Sequence, residues 1–115
     1  MADCERALGR PERALKMLDD PMVGKLDPAS RIELLIVVAG ARRDRGQLDA
    51  ALAVLERGGL DTKNPKPGSH RLWYAYADTL AEAGRTADAI QWFGHAATVD
   101  FEDETDAADR AVDLR

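Results

Sequence analysis

The sequence predicts an all-α fold assembled from short antiparallel helix pairs, and three observations carry that prediction. Apolar residues recur at helical spacing, as in "LDAALAVL", where Leu48, Ala51, Leu52 and Leu55 fall at i, i+3, i+4 and i+7. Breaks rich in glycine and proline divide the periodic segments into pairs. The stretches "GRPERALKML", "GQLDAALAVL" and "GRTADAIQWF", beginning at Gly9, Gly46 and Gly84, superimpose without gaps at spacings of 37 and 38 residues.

Residues 1–25 form an incomplete leading unit, since Met1 to Leu8 supplies at most part of a first helix. "LDPAS" then reads as a helix start, with Asp27 as N-cap and Pro28 preset at the first helical position. The run that follows, as far as Gly46, contains the β-branched residues Ile32, Val37 and Val38 and would also suit a buried strand. Helix is favoured because the cap is in place and the segment outruns a typical strand. A turn at Gly46 leads into the Leu48 stripe, which completes a second unit over 28–64.

"GLDTKNPKPGS", Gly59 to Ser69, is the most turn-like stretch and is expected to be an extended connection. A third unit over 69–101 follows. Its first helix carries Trp73, Tyr76, Ala77 and Leu80 on one face; its second carries Ala89, Trp92, Phe93 and Ala96. The tail "DETDAADRAVDLR" is expected to form a capping helix over 103–115, with acidic residues at the positive end of its dipole.

The aligned positions have a physical reading. A glycine permits the sharp reversal between two helices, and small residues (Ala14, Ala51 and Ala89; Ala2, Ala39 and Ala77 upstream) let backbones approach closely. Leu18, Leu55 and Phe93, one turn later, fill the space where the helices diverge. A single pair cannot bury its own apolar face, so the pairs must stack.

These residues resemble the tetratricopeptide repeat, a helix-turn-helix unit of about 34 residues. Trp73, Tyr76, Ala77, Leu80, Gly84, Ala89, Phe93 and Ala96 fall at the spacing of that family's signature, with Phe101 in place of its closing proline. The second unit matches at Leu35, Val38, Ala39, Gly46, Ala51 and Leu55. It departs at Arg42, where a large apolar residue is usual, and at Gly58, where alanine is usual. The resemblance implies a right-handed superhelical stack, an α-solenoid whose first helices line a concave groove for peptides or partner proteins. Carried over by position, the groove residues are Glu33, Ile36, Gly40 and Arg43 from the second unit and Arg71, Tyr74 and Asp78 from the third, with Ala81 in the fourth place and the longer Glu82 beside it. Ile36, Gly40, Tyr74 and Asp78 stand where some members of the family clamp a terminal carboxylate with lysine and asparagine, so no such clamp is expected.

Composition narrows the function classes. A net charge of -5 gives no field to gather nucleic acid or an anionic membrane. The longest apolar run, Ile32 to Ala41, is too short to span a bilayer, and the N-terminus lacks the pattern of a signal peptide. The single cysteine, Cys4, cannot form an internal disulfide, which fits a cytoplasmic setting.

Catalytic chemistry finds little support. Cys4 lies apart in sequence from His70 and His95, and neither histidine has a carboxylate placed to orient it in sequence. Gly58, Gly59 and Gly68 lack the lysine and hydroxyl residue of a phosphate loop. The acidic run Asp100 to Asp109 lacks the glycine turn and ligand order of a calcium loop, so no metal or other cofactor is expected. Trp73, Trp92 and Tyr74 suggest a ligand cage, but packing is the simpler reading. The expectation is a non-enzymatic interaction scaffold. The alternatives are a homodimer through the incomplete first unit, burying Leu8, Leu15 and Leu18, or a fragment of a longer repeat protein.

Overall fold

The computed structural model describes residues 27–102 and 104–114. The incomplete leading unit, with Cys4, Leu8, Leu15 and Leu18, therefore lies outside the described residues. All regular structure within them is helical: α1 (Pro28–Asp44), α2 (Leu48–Glu56), α3 (Ser69–Glu82), α4 (Thr86–Val99) and α5 (Ala107–Asp113).

Helix α1 starts where Asp27 and Pro28 place it. The Asp27 carboxylate accepts from the Ser30 amide (2.8 Å) and the Ser30 hydroxyl (3.0 Å), satisfying a donor that the first turn leaves open. At the other end, Arg42 and Arg43 lie in the last turn, beside the negative end of the dipole. The β-branched run is thus helical, with Ile32, Leu35 and Val38 turned inward.

Two reversals share one set of hydrogen bonds. After α1, the Gly46 amide donates to the Arg43 carbonyl (2.9 Å) and the Gln47 amide to the Arg42 carbonyl (2.9 Å). After α3, the Gly84 amide donates to the Ala81 carbonyl (3.1 Å) and the Arg85 amide to the Leu80 carbonyl (2.9 Å). Both are Schellman motifs, and both place glycine at positive φ, 75° for Gly46 and 82° for Gly84. The two glycines that align in the sequence thus perform the same turn. Three residues suffice for each connection, and α1 packs on α2 as α3 packs on α4.

Ala51 and Ala89 are buried at the aligned close approach, as are Ala39 and Ala77 upstream. Leu55 and Phe93 fill the next turn, and neither is exposed to solvent. The core runs on between the two hairpins through Leu35, Leu72, Trp73 and Leu80.

Gly58, the departure from the family pattern, has a local cause. A Cβ there would stand 2.7 Å from Leu72 Cδ2 and 3.1 Å from Leu35 Cδ1. Both leucines are buried, so the space an alanine would take is already filled. The connection from Arg57 to Gly68 is held to the core at Trp73, whose indole N–H donates to the Gly59 carbonyl (3.1 Å).

The last helix is shorter than the sequence suggests, starting at Ala107 rather than at 103. The Asp100 carboxylate accepts from the Glu104 amide (2.9 Å), the Thr105 amide (2.8 Å) and the Thr105 hydroxyl (2.7 Å). Those bonds hold the approach in a turn, so most of the acidic run precedes the helix and only Asp109 lies in its first turn. Among the described residues, no helix is long and apolar enough to cross a membrane.

Candidate functional site

The first helix of each hairpin, α1 and α3, lies beside the other. Their facing residues join into a ladder of charge. Glu33 on α1 pairs with Arg71 on α3 at one end. Towards the other end Arg43 donates to Glu82 (2.7 Å) and to Asp78 (3.1 Å). Charges at positions 35 to 39 residues apart in sequence are thereby neutralised locally.

Helix α5 extends the ladder. Arg110 donates to the free oxygen of Asp78 (2.9 Å) and to the Tyr74 hydroxyl (3.1 Å), and the Tyr74 hydroxyl donates to Asp106 (2.5 Å). The Arg110 guanidinium also lies 4.6 Å from the centre of the Phe93 ring, where the π face attracts a cation. Asp78 therefore binds three helices at once: its own, α1 through Arg43 and α5 through Arg110.

Of the eight predicted groove residues, Glu33, Arg71, Arg43, Asp78, Glu82 and Tyr74 are in this network. Ile36 is half-buried and packs against the core, and Gly40 is half-buried on the same helix. Sequence reasoning missed Arg110 and Asp106. A signal for them was present: Ala107, Ala111 and Leu114 each lie 34 residues after Trp73, Ala77 and Leu80. Helix α5 thus has the register of a further first helix, and Ala107 and Ala111 are buried accordingly.

Burial works to raise the Asp78 pKa, but the Arg110 and Arg43 hydrogen bonds and charges outweigh it and hold the carboxyl below the usual range. A carboxyl depressed in the folded state stabilises above its unfolded pKa, about 3.9, and that stability is lost as pH falls through the lower folded value. Asp78 remains partly exposed, so solvent screening keeps its contribution near ~1 kcal/mol. Asp78→Asn is expected to lower the unfolding free energy obtained from urea denaturation at neutral pH by that amount. The difference from the native protein should shrink as the pH falls below the unfolded pKa and through the lower folded value. A constant difference across the range would refute the assignment.

The suspected aromatic cage does not form. Trp73 is buried, and the Tyr74 ring meets Phe93 edge-on at 5.3 Å instead of facing the tryptophans. Trp92, which has no evident duty in the sequence, makes edge contacts with Trp73 (5.9 Å), Tyr76 (5.3 Å) and His95 (5.0 Å). It bridges α3 and α4. His70 Nε2 lies 3.0 Å from Glu104, across the base of a cleft beside the inter-hairpin connection. Among the described residues, no group of three or more histidine, cysteine or acidic side chains is placed to hold a metal ion.

Comparison with known protein families, with curated proteins and with solved structures gives no match for this chain.

Proposed function

We propose that the chain is an interaction module of the tetratricopeptide-like kind, binding a peptide or protein segment along the face formed by its first helices. The carrying observation is the charge ladder from Glu33–Arg71 to Asp78–Arg110, a row of both signs along adjacent helices. Two hairpins closed by the same Schellman bonds support the repeat reading. A polypeptide of mixed charge is the natural complement to such a row. The proposal includes no catalytic step and no cofactor, and its setting is the cytoplasm.

The ladder divides its residues by role. Tyr74, Asp78 and Arg43 are engaged in holding α1, α3 and α5 together. Glu33 and Arg71 are about half exposed and, among the described residues, their ion pairing is with each other. They are the pair free to exchange partners, with Ile36 and Gly40 beside them on α1.

The test uses Glu33→Ala with Arg71→Ala and leaves Tyr74 in place, because Tyr74 anchors α5. An exposed pair contributes at most about 1 kcal/mol, so the double variant should unfold close to the native midpoint. Its capture of protein from an extract of the source cells, compared by quantitative mass spectrometry, should fall at least about tenfold for the specific partner. Equal capture by both proteins would sink the groove assignment.

A further inference from the structure

Away from the ladder, a cleft of about 420 Å3 lies between the Pro65–Gly68 loop and the Val99–Glu104 segment. It shares no lining residue with the Glu33–Arg71 pair. Pro65, Pro67 and Val99 give it apolar walls. Phe101 lines it as well and is 88% exposed, the most open large apolar residue among those described.

The charge of the lining is one-sided. Asp100, Glu102 and Glu104 supply three carboxylates against one lysine, Lys66. Lys66 Nζ lies 4.0 Å from the place a Cβ on Gly59 would take, so its charge sits towards a residue outside the lining. His70 meets Glu104 at 3.0 Å and, when protonated, offsets only one further charge. The Thr105 hydroxyl, with the Glu104 and Thr105 amides, holds the Asp100 carboxyl below its usual range, so that charge persists. The helix ends that meet here, Gly68 before α3 and Asp100 after α4, carry partial charges of opposite sign, which leaves the side chains to set the balance.

The complement is therefore cationic. A metal ion does not fit, since the carboxylates are not gathered as a ligand set and Asp100 is taken up by Thr105 and the Glu104 amide. A long cationic side chain does: its methylene stem suits the proline and valine walls while its head meets carboxylate. Arginine suits the site better than lysine, because a guanidinium also stacks on an aromatic ring. The chain already uses that combination internally, where Arg110 lies over Phe93 and donates to Asp78. Phe101 with Glu102 offers the same pair of groups to solvent. We infer that this cleft is a second docking site, which takes an arginine-bearing peptide segment of a partner protein, with the guanidinium between the Phe101 ring and the Glu102 carboxylate.

The probe is a capped Gly-Arg-Arg-Gly peptide, titrated into the full, isotopically labelled chain and followed by amide chemical shifts. Shifts should centre on Lys66–His70 and Val99–Glu104 and fade as salt is raised. Glu102→Lys should weaken binding by about fivefold or more, and Phe101→Ala by about two- to fivefold. Lys66→Gln removes the competing cation and should tighten binding by about two- to fivefold. All three residues are exposed, so these variants should unfold with the native chain. The Glu33→Ala, Arg71→Ala double variant should bind the probe like the native chain, which separates failure at one face from failure at the other. The corresponding lysine peptide should bind more weakly, and a capped Gly-Glu-Glu-Gly peptide should move none of these amides. An arginine probe that leaves the cleft amides unmoved, or shifts amides over the whole acidic surface alike, overturns the proposal. So does a Glu102→Lys variant that binds as the native chain does, or a lysine peptide that binds as tightly as the arginine one.

Discussion

Phe93→Ala is expected to lower the unfolding free energy by about 3–5 kcal/mol, one of the two largest losses of any single substitution considered. The ring is fully buried, so truncation removes its transfer free energy and leaves a cavity that the surrounding backbone closes only in part. Two neighbours magnify the effect. Tyr74 loses its edge-on partner, and Arg110 loses the ring face beneath its guanidinium. Helix α5 is held to the hairpin through those side chains, so its amides should lose hydrogen-exchange protection before the rest. Phe93→Leu retains most of the apolar volume and should cost roughly 1–2 kcal/mol. Urea denaturation of both variants checks the pair of values. A loss below about 1 kcal/mol for alanine would mean that the site collapses around the gap. Small domains sit near the low end of the usual 5–15 kcal/mol, so the alanine variant should be close to half-unfolded under mild denaturant.

Trp73→Ala should cost a similar ~3–5 kcal/mol, for a partly different reason. Trp73 packs at the junction of the hairpins, and its indole N–H satisfies the Gly59 carbonyl. Trp73→Phe separates these contributions. Phenylalanine keeps much of the buried ring but leaves that carbonyl without its donor, at a cost of about 1–3 kcal/mol. Limited proteolysis supplies the second readout. Both variants should be cut faster within the Arg57 to Gly68 connection, and alanine faster than phenylalanine. Unchanged cleavage would show that the tryptophan does not hold this connection.

The features legible in the sequence are those with local causes. Asp27 and Pro28 mark the start of α1 because capping involves neighbours in the chain. Gly46 and Gly84 mark the reversals because only glycine adopts their backbone conformation without strain. Ala51, Ala89, Leu55 and Phe93 follow from their distance to those glycines. The candidate face was legible as a set of positions, but its pairings were not. Arg43 finds Asp78 and Glu82, and Asp78 finds Arg110, through the stacking of helices, which leaves no periodic mark on charged residues. The start of α5 escaped for another reason. Acidic residues before a helix suit its dipole, yet Asp100 captures the following amides and delays the helix to Ala107. Gly58 reads as a defect against the repeat pattern until Leu72 and Leu35 are seen to occupy the place of its missing methyl.

The paired Schellman turns also bear on how quickly the chain folds. Each hairpin closes across three residues, so bringing its helices together costs little loop entropy and needs no search through distant segments. Hairpin α3–α4, with the aromatic residues Trp73, Tyr76, Trp92 and Phe93 between its helices, is suited to form first and to act as a template. Hairpin α1–α2 must cross the long Arg57 to Gly68 connection to join it, and α5 can dock only once Tyr74 and Phe93 stand together. Among the described residues, such an order would begin at α3–α4 and end with the docking of α1–α2 on one side and α5 on the other.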